Sequence, residues 1–234
     1  MSETDLLTPE FISQAEESAN RTMALLDENM DSVRAEAIRL NTDWGHPDWR
    51  VNVPEGQWGA VQIERVEIPL EAVSTSIMRC ALNPQRQSRL LAPGTFTELR
   101  VDGNLWMSDT PQEMEDHKWV FGNATGAVLV NGLGLGMVVH VLCMLPNVTR
   151  IDVVEINPDV IRAVRPHYTD PRVRIRHGDA FKVRWPASYR WDLAWHDIWP
   201  TISRDNLPQM DRLERRYAKR IRRQQSWKRD MCVE

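Results

Sequence analysis

The chain has three cysteines in 234 residues, Cys80, Cys143 and Cys232, and their wide spacing builds neither a metal-ligand set nor a disulfide framework. A reducing, cytoplasmic setting is therefore expected. The acidic, polar opening MSETDLLTPE agrees, because it is not a secretory signal. Charge is missing from residues 127–145, which carry no Asp, Glu, Lys or Arg. An apolar run of about 20 residues can span a bilayer. Here Asn131 and the alternating Gly132, Gly134 and Gly136 break it at its centre, and Pro146-Asn147 separate it from a second apolar run, so no membrane span is expected.

Negative charge is unevenly spread. The net charge of −4 includes ten Lys/Arg against five Asp/Glu in residues 203–234. That tail reads as a solvated basic helix ahead of a nucleic-acid surface.

The most informative stretch is GAVLVNGLGLGMVVHVLCMLPNVTRIDVVE at 126–155. It reads as a strand, a glycine-spaced loop, a helix and a second strand ending in Glu155, the layout of a nucleoside-binding α/β unit. Glycines let the backbone turn and come close to a ligand, and a carboxylate about 20 residues later can accept from both ribose hydroxyls. The expected ligand is adenosine-like, held by Gly132, Gly134, Gly136, Glu155 and the adjoining Ile156. A doubly wound domain that binds nothing is the alternative.

The pattern continues with a helix over 159–168, a strand over Val173–His177, a loop with Gly178, Asp179 and Ala180, and a strand over Asp192–His196. Glu155, Asp179 and Asp197 thus fall at one edge of the sheet, where ligands of open α/β sheets sit. Asp197 is either a catalytic base or the cap of the following turn. His196 is either a second base or a packed strand-end residue. Asn131 either bonds the ligand through its amide or satisfies loop backbone. Trp199 could wall a flat or cationic acceptor. A final helix is expected over about 206–223, and no apolar strand follows it, so the sheet should be shortened at its C-terminal end.

Ahead of this unit, residues 8–40 carry one apolar helical stripe that would cap or dimerise the protein. Val61–Ile68 alternates as a strand, and Thr95–Val101, Asp102-Gly103 and Asn104–Ser108 form a hairpin. Thr110, Pro111 and Glu113 then start a helix of about 10 residues toward Phe121. Three parts follow: a helical region 1–50, a β-rich piece 51–121 and a Rossmann-like nucleoside-binding domain 122–234.

These motifs in order resemble the S-adenosylmethionine-dependent methyltransferases of the doubly wound class, and within them the spermidine-synthase-like branch. VLVNGLGLG at 128–136 is similar to the family's glycine motif, VVEINPDVI at 153–161 to its ribose-binding strand, HGDAF at 177–181 to its adenine loop, and WDLAWHD at 191–197 to the strand before the reaction centre. LRVDGNLWMSD at 99–109 is similar to the front hairpin of spermidine synthases. The resemblance implies S-adenosylmethionine as cofactor, with Asn131, Gly132, Gly134, Gly136, Glu155, Ile156, Asp179 and Ala180 at the nucleoside, and Asp197 and His196 at the chemistry. Aminopropyltransferases carry an aspartate where this chain has Leu135, and a glutamine and a Tyr-His pair where it reads Trp106 and Glu115-Asp116. Methyl transfer to an unidentified acceptor is therefore expected first and aminopropyl transfer second, with nucleoside binding without turnover as a further alternative. The N-terminal helix and the uncovered sheet edge are expected contacts of a homo-oligomer.

Overall fold

Asp102 and Gly103 both adopt left-handed backbone angles (φ +49° and +75°), the geometry of a type I′ turn, and so the chain reverses there into a hairpin. The computed structural model describes residues 49–69, 72 and 93–232. The helix expected over 8–40, its dimer role and Cys80 lie outside the described residues. The hairpin joins β3 (Gly94–Val101) to β4 (Asn104–Ser108); with β1 (Gly56–Trp58) and β2 (Val61–Ile68) it forms an antiparallel sheet in the order β1-β2-β3-β4. β2 buries Val61 and Ile63 opposite Val101 and Leu99, as its period-2 pattern requires. The β3–β4 register slips between Leu99, opposite Met107, and Arg100, opposite Leu105. Trp106 is the extra residue of that bulge, exposed while its neighbour Met107 turns inward.

After the hairpin, the Thr110 hydroxyl accepts from the backbone N–H of Glu113 and Pro111 opens the helix, as a capping box should. The expected single helix is instead two short ones, α1 (Pro111–Asp116) and α2 (Lys118–Asn123), broken at His117 (φ −98°, ψ 0°). Tertiary packing overrides propensity there, because His117 is fully buried edge-on against Trp195.

The second sheet is parallel, built from β5 (Gly126–Asn131), β6 (Val148–Glu155), β7 (Val173–His177), β8 (Trp191–His196) and β9 (Ile221–Ser226), in the order β7-β6-β5-β8-β9. The fold is α/β and Rossmann-like. The chain runs outward from β5 through β6 and β7 and then returns to β8 on the other side of β5. The switch point, where such sheets open a ligand crevice, is between β5 and β8. β5 is buried on both faces, which is why its sequence is a continuous apolar run. Alternate residues feed two cores. Val128 and Val130 pack with α3 (Met137–Met144), α4 (Pro158–Val164) and the antiparallel sheet, while Leu129 packs toward α5 (Leu207–Tyr217).

One expectation fails at the end of the chain. The final helix stops at Tyr217, and Ile221–Ser226, IRRQQS, pairs with β8 as a fifth strand where no strand was expected. Only its ends, Ile221 and Ser226, are buried, since the strand lies at the sheet edge, and edge strands lack the apolar pattern on which the expectation rested. The basic tail is accordingly part helix and part strand. Arg216, Arg220 and Arg223 bond Val183 O, Pro186 O and the Asn123 side chain, and Arg229 pairs with Asp211. Among the described residues no helix is long and apolar enough to cross a membrane. Residues 127–145 are instead β5, the glycine loop and α3.

Candidate functional site

The carboxyl ends of β5, β6 and β8, the loop after β7 and the front hairpin enclose a cavity of about 280 Å³. Gly132, Gly134, Glu155, Ile156, Asp179, Ala180 and Asp197 all line it, so seven of the expected site residues meet at one place. Trp106, Met107, Glu113, Phe181 and Trp199 complete much of the wall. Four carboxylates, Glu113, Glu155, Asp179 and Asp197, line the cavity and no Lys or Arg does among the described residues.

Glu155 ends β6 almost fully buried. Its Oε2 accepts from the Leu133 N–H at 2.8 Å and its Oε1 from the Asn157 N–H at 2.7 Å. Burial pushes its pKa up, and the backbone N–H bonds oppose the shift. Each oxygen keeps a further lone pair, so the carboxylate can still accept from a diol. Asp179 Oδ1 accepts from the Phe181 N–H at 2.8 Å and so shapes the turn that presents Ala180. Tyr217 donates to Ala180 O at 3.0 Å from the sheet's other side.

Asp197 follows β8, its N–H bonded to Asn131 O at 2.8 Å and its side chain 23 % exposed. Its pKa is pushed up to about 7, first by burial and then by the nearby charges of Asp116 and Glu155. A carboxyl poised there can take a proton near neutrality. Behind it stands His117, whose Nε2 is 3.9 Å from Asp197 Oδ2 and whose two ring nitrogens have no hydrogen-bond partner among the described residues. Burial, with Lys228 adding to it, lowers the His117 pKa to about 3, so the imidazole is neutral. Lys228 pairs with Asp116. This Asp116-His117-Lys228 group was not legible in sequence: His117 follows a short helix with no motif, and Lys228 arrives only because β9 exists.

Three expected site residues fall outside the cavity lining. His196 is fully buried between Asn131 and Gln224, its Nδ1 2.7 Å from the Asn131 amide nitrogen and its Nε2 3.1 Å from Gln224 Oε1. The amide nitrogen of Gln224 donates to Glu214 O, so its oxygen must receive the His196 Nε2 proton, and Nδ1 must accept from Asn131. Both nitrogens are committed, burial lowers the His196 pKa to about 4, and the ring stacks on Tyr217. This geometry favours the packed strand-end reading of His196 over that of a second base. The Asn131 amide nitrogen is taken up by that network, and its Oδ1 is buried without a partner among the described residues. Gly136 (φ +82°) begins α3, and a Cβ there would lie 2.4 Å from the Tyr168 ring. It makes room for Tyr168, whose hydroxyl donates to Leu135 O.

Within the cavity, Gly132 (φ +98°) is required by close approach, because a Cβ would lie 1.8 Å from Asp197 O. Gly134 (φ +52°) faces Met107, whose Sδ would lie 2.3 Å from a Cβ. Leu135, next in the loop, is fully buried in the core.

No family model and no curated protein matches the chain. Solved structures that are similar in part include the CcbJ methyltransferase from Streptomyces caelestis (19 % identity over 45 % of this chain and 44 % of that one, TM-score 0.36). An S-adenosylmethionine-dependent methyltransferase from Clostridium acetobutylicum is 13 % identical over 47 % and 43 %, with TM-score 0.33. A dimethyladenosine transferase from Plasmodium falciparum is 19 % identical over 36 % and 30 %, with TM-score 0.29. The chain spans less than half the length of each of these three.

Proposed function

We propose that this chain is an S-adenosylmethionine-dependent methyltransferase of spermidine-synthase-like type. The observation that supports it most is the convergence of Glu155 and Asp197 on one cavity at the switch point, the first pinned by two backbone N–H groups and the second titrating near neutrality. The residues suit this cofactor: Glu155 keeps acceptor capacity for ribose hydroxyls, Ile156, Ala180 and Phe181 offer apolar surface to a flat base, and the four carboxylates favour a cation. When bound, the cofactor supplies an electrophilic methyl group on a sulfonium. The part played by this chain is to hold and orient. Glu155 would fix the ribose, Asp179 and the loop after β7 would confine the base, and the Asp197 carboxylate would take the proton from the acceptor's nucleophile. On this reading residues 122–234 hold the nucleoside and the 51–121 piece closes the cavity through Trp106 and Met107.

Aminopropyl transfer is the second reading, favoured by one observation: Asp116 and His117 stand behind Asp197, and the charged side chains that line the cavity are all carboxylates. Calorimetry with S-adenosylmethionine, its decarboxylated form and S-adenosylhomocysteine tests the first reading, which requires the carboxylated ligands to bind more tightly. Spermidine formed at enzymatic rates from decarboxylated cofactor and putrescine, seen by mass spectrometry, would replace the first reading with the second. No binding of any of the three removes both.

A further inference from the structure

The glycine loop has a protein side chain lodged in it. Met107 Sδ lies 3.3 Å from the backbone nitrogen of Leu135, whose N–H donates to it. The same sulfur rests against Gly134, in the place a Cβ would take. Met107 pairs with Leu99 next to the bulge at Trp106, and from there its side chain reaches the loop. It is nearly buried, 9 % exposed, yet it also forms part of the cavity wall beside Gly132 and Gly134.

A thioether is a weak acceptor, so a buried N–H bonded to it is poorly satisfied. A carboxylate oxygen offered to the same N–H would make a charge-assisted bond about twice as strong. Methionine is also the apolar side chain best able to leave, since it is unbranched and has three rotatable bonds. The cavity as it stands, about 280 Å³, is just below the ~300–1,000 Å³ usual for small-molecule sites.

We propose that Met107 gates the glycine-loop end of the cavity: its thioether occupies the place on Leu135 N–H that the carboxylate-bearing tail of a nucleoside ligand takes, and such a ligand binds by displacing it. This rests on the nucleoside reading above. A ligand without the tail leaves Met107 where it is. Met107 therefore sets the discrimination between long-tailed and tail-less adenosines, because the population with the gate open scales the apparent affinity for the long-tailed ligand alone.

The test is calorimetry of adenosine and S-adenosylmethionine against the wild type, Met107→Leu and Met107→Ala. Leucine is a swap that cores tolerate, so it decides the matter even where the alanine variant fails to fold. S-adenosylmethionine should bind about 3-fold more tightly to Met107→Leu and about 10-fold more tightly to Met107→Ala, with adenosine unchanged within about 2-fold. An unchanged or weakened S-adenosylmethionine affinity in Met107→Leu, or a parallel shift of both ligands, overturns the gate while leaving the nucleoside site standing. Failure of adenosine and S-adenosylmethionine to bind any of the three proteins overturns the nucleoside reading and the gate with it.

Discussion

Asp197→Asn should make the protein clearly more stable at pH 8 and change its stability much less at pH 4.5. The carboxyl of an unfolded chain titrates near ~3.9, whereas burial, Asp116 and Glu155 push that of folded Asp197 up to about 7. Between these values the folded state binds more protons than the unfolded state, so stability falls as pH rises. Below the lower value both states are protonated and the cost vanishes; above about 7 it is complete. Every tenfold difference in proton affinity between the two states corresponds to ~1.4 kcal/mol, and the side chain's partial exposure trims the total to on the order of 3 kcal/mol. Asparagine keeps the shape and cannot ionise, so it escapes this cost. Urea unfolding at pH 4.5 and pH 8, followed by tryptophan fluorescence, reads the difference directly and needs no ligand. A gap between variant and wild type that is the same at both pH values, or a variant less stable at pH 8, would show that Asp197 carries its charge without strain. If Asp197 is also the base, wild-type turnover should rise with pH through about 7, and the asparagine variant should lose on the order of 100-fold.

Glu155→Gln removes the charge and one acceptor, and should weaken S-adenosylmethionine by about 2 kcal/mol in calorimetry; an unchanged dissociation constant in the folded variant takes Glu155 out of the site. Gly132→Ala should cost about 2–4 kcal/mol in thermal unfolding, because its Cβ would meet Asp197 backbone 1.8 Å away at a positive φ. Gly134→Ala should cost about 1 kcal/mol, since the atom in its way is the end of the flexible Met107 chain, and equal costs at the two glycines would refute this distinction. His196→Ala should lower stability by about 2 kcal/mol by stranding Asn131 and Gln224, without moving the pH midpoint of turnover; a moved midpoint would return His196 to the chemistry.

Elements governed by short-range rules could be read directly. The Asp102-Gly103 turn, the alternation of β2 and the strand Val173–His177 have the expected ranges or differ by a residue, because turn chemistry and period-2 burial act over a few neighbours. What could not be read depends on partners distant in sequence. β9 is mostly polar because it lies at the edge, and its place is fixed by pairing with β8 about 30 residues earlier. The break at His117 answers to Trp195, and the commitment of His196 answers to Gln224, which sits on that unforeseen strand.

The glycines show how a motif can be located correctly for reasons the motif does not state. A glycine-spaced loop suggests three positions cleared for a ligand, but here protein fills each clearing: Asp197 backbone at Gly132, Met107 at Gly134 and Tyr168 at Gly136. The three occupants differ in how readily they can leave. Asp197 O belongs to the segment whose N–H bonds Asn131 O, and Tyr168 is anchored through its hydroxyl to Leu135 O, so both are fixed parts of the scaffold. Met107 is held by one weak N–H···S bond and dispersion contacts, and it lies on the cavity wall as an unbranched side chain with several rotatable bonds. On the gating proposal the loop adapts to a ligand at Gly134, where the occupant is the end of a flexible side chain and not backbone or an anchored ring.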